Sequence, residues 1–152
     1  LIEESMLEEA KELAANPKIV IPESVIVSIS ADEPGRITPA NSIQENEAIF
    51  DIAPASFVDL EPIIMNAGTI LWNGPIGFFE KENFFAGTAM IAEMIISSKG
   101  FSVAGGGDTI SAAEKAGVLD SLDYVSTAGG AFLEFMEGKK LPALEALIDK
   151  VN

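Results

Sequence analysis

The sequence contains no cysteine and no histidine in its 152 residues. The first absence excludes a disulfide framework and every thiolate metal site. The second removes imidazole ligands, a Ser/His triad and histidine general-base chemistry. Arginine is almost missing too, with Arg36 alone. No apolar run approaches a membrane span, because Glu93 interrupts the longest candidate, 84–96, and no charged-then-apolar leader opens the sequence. Basic residues are few: 9 against 24 acidic ones, a net charge of −15 that repels nucleic acid and acidic membrane surfaces alike. The expectation is a soluble, cytoplasmic protein with neither nucleic acid nor membrane as a partner. Carboxylates, amides, hydroxyls and a few lysines remain for chemistry.

What is present is apolar material for a core: 48% of residues are hydrophobic, and mean hydropathy is +0.30. That is enough for one folded domain and argues against disorder. The stretch that organises the rest is Phe101-Ser102-Val103-Ala104-Gly105-Gly106-Gly107-Asp108-Thr109. Phe101, Val103 and Ala104 read as the end of a buried strand, and Asp108 and Thr109 as caps of a helix over about 110–116. Glycines between them let the backbone approach a ligand, while the following helix N-terminus offers unpaired N–H groups and partial positive charge to an anion. Taken alone, the same residues could make no more than a tight strand-to-helix turn.

Residues 1–15 carry apolar positions at three- and four-residue steps between glutamates, predicting an amphipathic helix stopped by Asn16-Pro17. No start signal precedes Leu1, so the natural chain is expected to extend further upstream. Residues 18–22 and 24–30 read as strands and 31–36 as a polar turn. Residues 48–52 predict a buried strand, followed by a helix capped by Ser56 with Asp59 and ended by Gly68. A strand over 69–72 leads into the loop Asn73-Gly74-Pro75-Ile76-Gly77-Phe78-Phe79-Glu80, and residues 83–98 form a helix apolar on most sides. After the glycine turn and its helix, 123–126 is a last strand. Gly129 and Gly130 then open a helix closed by Gly138, and Leu141-Pro142 begins a terminal one.

From Ala48 onward strands and helices alternate. That pattern predicts an α/β fold: a Rossmann-like parallel sheet with helices on both faces, in three α/β/α layers. Ligands of such a sheet bind beyond the C-terminal strand edges, where three successive strands end in glycine turns: Asn73-Gly74, Gly105 to Gly107, and Gly129-Gly130. Their coincidence on one edge favours a nucleotide site. Neither G-x-x-x-x-G-K-[ST] nor G-x-G-x-x-G occurs, which disfavours a P-loop enzyme and an ordinary dinucleotide domain.

Four segments then carry a resemblance: Trp72-Asn73-Gly74-Pro75-Ile76-Gly77-Phe78-Phe79-Glu80, Phe85-Ala86-Gly87-Thr88, Gly105-Gly106-Gly107-Asp108-Thr109, and Val125-Ser126-Thr127-Ala128-Gly129-Gly130-Ala131 with Glu137-Gly138-Lys139. In order and spacing they resemble phosphoglycerate kinase, specifically its C-terminal, nucleotide-binding part, over essentially the whole chain and most weakly before Ala48. The resemblance implies a partial C-terminal domain of a two-domain glycolytic kinase. It would lack the first strands of that domain and the whole N-terminal phosphoglycerate-binding domain, with 139–152 as a segment returning toward the missing part. The shortage of arginine follows, and the chain alone is expected not to turn over.

The reaction implied is phosphoryl transfer between 1,3-bisphosphoglycerate with MgADP and 3-phosphoglycerate with MgATP, by a full-length monomer. By the same resemblance Asn73, Pro75, Gly105, Gly106, Gly107 and Thr109 contact the nucleotide, Asp108 meets its Mg2+, and Glu80 holds the ribose hydroxyls. Gly106, Gly107, Gly129 and Gly130 offer N–H groups to the phosphates and the transferring group. Such a role suits phosphoryl transfer, which needs fixed donors where charge develops more than covalent help. The chain departs from the family pattern at Ala128 and Ala53, where glycines are usual. Two other readings stay open: a non-catalytic acidic nucleotide-binding module, and a dehydrogenase in which Asp51 is the ribose acid.

Overall fold

A computed structural model describes residues 3–148. It contains two three-stranded sheets. The first is antiparallel, in the order β2-β1-β3, built from β1 (Ser24–Ser28), β2 (Arg36–Pro39) and β3 (Ala48–Ile52). The second is parallel, β4-β5-β6, built from β4 (Thr69–Trp72), β5 (Phe101–Gly105) and β6 (Tyr124–Ser126). The helices are α1 (Leu7–Ala14), α2 (Phe57–Met65), α3 (Ala86–Ser97), α4 (Gly107–Lys115), α5 (Gly130–Met136) and α6 (Pro142–Ile148).

The parallel sheet confirms the α/β reading. Its register sets Ile70 beside Ser102, and Trp72 beside Ala104, which in turn lies beside Val125. With a side-chain period of two, these positions share one face. That face packs into a core with Phe57 of α2, Ile91, Ala92 and Ile95 of α3, and Ala112 and Ala113 of α4. The alanines of α4 allow close approach to the sheet, and the apolarity of α3 on most sides follows from its contacts with both sheet and α2. On the other face Phe132 of α5 lies against Gly105, at a point that any Cβ would occupy. Of the other positions there, Leu71, Phe101 and Tyr124 are exposed, Val103 is half-buried and Ser126 is buried.

Several sequence expectations are corrected. Residues 48–52 form a strand, but it joins the antiparallel sheet: the turn-rich 31–36 segment folds β2 back on β1, and β3 takes the other edge of β1. Alternation along the chain cannot reveal that the link through α2 changes sheets. Residues 18–22 make no strand and leave Ile19, Val20 and Ile21 exposed, with no neighbouring strand to satisfy their ladder. Ser56 does not cap α2, because its hydroxyl donates to the Ser24 carbonyl at 2.9 Å and accepts the Ser24 N–H. Nor do Asp108 and Thr109 precede their helix. Gly106 occupies the cap position, and both residues lie in the first turn of α4. Of the proposed returning segment 139–152, residues 149–152 lie outside the described residues.

Candidate functional site

The site assembles at the C-terminal edge of the parallel sheet. Gly106 follows β5 with φ +94°, a conformation that strains any residue with a Cβ, and this delivers Gly107 as the first residue of α4. Gly107 faces open space, as do Gly129, with φ +56°, and Gly130 after β6. Gly105 has a different duty, since its missing Cβ is what admits Phe132.

The 73–80 loop is bound tightly to this turn. Asn73 Nδ2 donates to the Gly105 carbonyl at 3.0 Å, and the Gly74 N–H donates to Thr109 Oγ1 at 2.7 Å. Thr109 is therefore buried, 1% exposed, with its oxygen committed to the neighbouring loop. The indole of Trp72, the sole tryptophan, donates to the Gly74 carbonyl at 2.9 Å, so its environment reports on this loop. Asp108, by contrast, is exposed and makes no hydrogen bond or ion pair among the described residues. The same holds for the Glu80 carboxylate at the far end of the loop.

Residues on other elements hold the rest of the loop and the start of α3: Thr88, Lys115 and Asp51, of which only Asp51 figures in the sequence expectations of a site, as a ribose acid. Thr88, in the first turn of α3, accepts the Ile76 and Gly77 N–H groups at 3.2 and 3.3 Å. Asp51 is 1% exposed, and its carboxylate accepts the N–H of Gly87 at 2.8 Å and that of Ile52 at 2.8 Å. It fits because Gly77 and Gly87 have no side chains, as a Cβ on either would stand within 2.4 Å of Asp51 Oδ1. Burial pushes the Asp51 carboxyl above the ordinary range, against the pull of its two backbone donors. Enclosed in this way, Asp51 cannot reach a ribose, which removes the basis of the dehydrogenase reading. Lys115, at the end of α4, donates to the Phe79 carbonyl at 2.7 Å. The i, i+3 logic of helices could have flagged none of these, because the Thr88, Lys115 and Asp51 contacts with Ile76, Gly77, Phe79 and Gly87 all join separate elements.

Beside the loop, Ile49, Phe50, Ile76, Gly77 and Phe78 line an open cavity of about 330 Å³. The Phe50 and Phe78 rings that line it lie 6.0 Å apart at a tilt of 40°, and the Phe78 N–H donates to the Phe50 carbonyl at 2.7 Å. Phe79 points inward and is buried. No group of three or more carboxylates among the described residues could hold a metal by itself. No helix among them is long and apolar enough to cross a membrane. The arrangement thus offers glycine N–H groups and a helix N-terminus at one end, two unengaged carboxylates, and an apolar hollow alongside.

Comparison with known proteins places the fold in a family. The family model for phosphoglycerate kinase matches residues 1–139. The fold is similar to the structure of phosphoglycerate kinase from Coxiella burnetii, with a TM-score of 0.86 and 42% identity over 94% of this chain. It is also similar to that from Pyrococcus horikoshii OT3, with a TM-score of 0.80 and 34% identity over 94% of this chain. The chain spans 39% and 36% of those two proteins respectively.

Proposed function

Because the chain belongs to the phosphoglycerate kinase family, we propose that it supplies the MgADP/MgATP-binding part of a glycolytic kinase. Its reaction interconverts 1,3-bisphosphoglycerate plus MgADP with 3-phosphoglycerate plus MgATP. The observation that carries the reading is the cross-linked pair of loops, Asn73 to Gly105 and Gly74 to Thr109, which holds the N-terminus of α4 open beside unobstructed Gly107.

In this reading the nucleotide phosphates lie at the N-terminus of α4, where the Gly107 N–H and the helix dipole meet them without a cation. Gly129 and Gly130 face the transferring phosphoryl group from the third loop. Asp108 stands free to meet the nucleotide's magnesium, an ion that keeps water and phosphate oxygens and asks for only one or two carboxylates. Asn73 and Thr109 act mainly by fixing the loop, and Pro75 stiffens its course. The apolar hollow of Phe50 and Phe78 suits the base, with Glu80 taking the ribose hydroxyls. Transfer joins a β-phosphate oxygen of ADP to the acyl phosphorus while the bond to the carboxylate breaks. The fixed N–H donors meet the charge spread over the phosphoryl oxygens. Phosphoglycerate itself is assigned to the portion of the relatives that this chain does not span, so the chain alone is expected to bind nucleotide without turnover.

Calorimetric titration tests the reading. MgADP and MgATP should bind at one site, NAD should not, and Asp108→Asn should weaken the magnesium nucleotide more than the metal-free one. Equal binding of NAD, or no adenine nucleotide binding, would remove the proposal.

A further inference from the structure

We infer that Lys115 is a positioning residue that sets the sugar selectivity of the nucleotide site by holding Glu80 in place, an inference that rests on the ribose reading of Glu80. Lys115 is the last residue of α4, and Gly107, at the phosphate turn, is the first. The nine-residue helix is a rod roughly 13 Å long. Its N-terminal end therefore stands at the phosphate turn and its C-terminal end at the backbone that leads into Glu80.

The ammonium group of Lys115 sits in a three-sided seat. It donates to the Phe79 carbonyl at 2.7 Å, lies 4.4 Å from the centre of the Phe85 ring, and stands 3.4 Å from Glu82 Oε2. Glu82 is the weakest of the three, since its side chain is 86% exposed and the separation is long. The carbonyl and the aromatic face define the position, and a cation at the C-terminal end of a helix is favoured there by the dipole.

The carbonyl so held belongs to the residue immediately before Glu80. On the other side Lys81 pairs with Asp32 at 2.6 Å, and its N–H donates to the Phe78 carbonyl at 3.0 Å. The backbone of Glu80 is thus fixed from both sides while its carboxylate makes no hydrogen bond or ion pair among the described residues. A fixed backbone with a free carboxylate is the arrangement expected of a residue that waits for donors from a ligand. Losing Lys115 releases the Phe79 carbonyl, one of the two holds on the Glu80 backbone, but leaves Gly106, Gly107 and the links of Asn73 to Gly105 and of Gly74 to Thr109 intact. The consequence is selective: contact with the sugar is lost and contact with the phosphates is kept.

The test compares magnesium complexes of ADP, 2′-deoxy-ADP and inorganic pyrophosphate on the full 152-residue chain, with Trp72 fluorescence checking that each variant folds. Wild type should prefer ADP over 2′-deoxy-ADP by roughly ten-fold, the size of a hydrogen bond to a charged group. Lys115→Met should bring the two nucleotides within about two-fold of each other while pyrophosphate affinity stays within two-fold of wild type. Lys115→Arg, which can still donate to the carbonyl, should restore the preference, and Glu82→Gln should keep it. A Lys115→Met chain that still discriminates, or that loses all three ligands equally, would overturn the inference and leave the ribose reading standing. A wild type without discrimination would overturn the ribose reading and the inference with it.

Discussion

Gly87→Ala is the substitution whose cost follows most directly from the packing around the site. Gly87 is the second residue of α3, its φ is not in the left-handed region, and its N–H is held by Asp51. Backbone conformation therefore does not demand glycine here; space does. A Cβ would stand 2.1 Å from Asp51 Oδ1, and the carboxylate cannot retreat because Gly77 and the Ile52 N–H enclose it. Overpacking a tight interior costs about 1–3 kcal/mol, and pulling the carboxylate from the Gly87 N–H adds about 1–3 kcal/mol, offset by up to ~1 kcal/mol of helix propensity gained by alanine. The expected loss is about 2–4 kcal/mol. With Asp51→Ala already present the obstructing oxygen is gone, so Gly87→Ala should then be neutral or stabilising by up to ~1 kcal/mol. Urea unfolding of the four proteins in this cycle, followed by Trp72 fluorescence, measures the coupling. Equal costs of Gly87→Ala in both backgrounds would refute the claim that Asp51 and Gly87 fit each other.

Thr109→Val removes the acceptor of the Gly74 N–H and should destabilise the chain by about 1–2 kcal/mol while weakening MgADP, read by denaturation and calorimetry. Gly106→Ala places a side chain at φ +94° and should cost about 1–3 kcal/mol, with a parallel loss of MgADP affinity in titration. Asp51 carries a pH signature. Burial raises its pKa above the ordinary 3.8, so the folded chain holds a proton that the unfolded chain has already released. The stability this provides is complete below the ordinary value and is lost as pH rises through the folded value. Relative to Asp51→Asn, wild type should therefore lose stability as pH rises above the ordinary 3.8 and through the raised folded value, measured by urea midpoints. Asp123 gives the opposite sign, because the Ser102 N–H and hydroxyl lower its pKa. Its contribution is present above the ordinary 3.8 and is lost as pH falls through the lowered value, so Asp123→Asn should flatten the acid limb of unfolding.

The parts of the fold that could be read from the sequence are those that local chemistry decides. The glycine turn at 105–107 ends a strand and starts a helix wherever it occurs, and Gly106 takes the left-handed φ that such a turn needs. The loop from Asn73 to Glu80 leaves its strand as its Asn-Gly pair indicates. The misreadings share one physical cause. Ser56, Thr109 and Asp51 are residue types that cap helices or end strands locally, yet each spends its oxygen on a distant partner: Ser24, Gly74 and Gly87. Local patterns cannot show which carbonyl or amide will arrive from another element, and the same limit hid the antiparallel pairing of β3 with β1. Lys115 and Thr88 were illegible for that reason also, since their value lies wholly in contacts with the 73–80 loop.

The most direct test of the central claim, that the glycine turns after β4, β5 and β6 form one phosphate cradle, is a magnetic resonance titration of the amide groups with MgADP. The account predicts that the N–H signals of Gly74, Gly106, Gly107, Gly129 and Gly130 shift together and saturate at one concentration, along with the Trp72 indole N–H. Shifts confined to one turn, or no saturable shift in any of them, would contradict it.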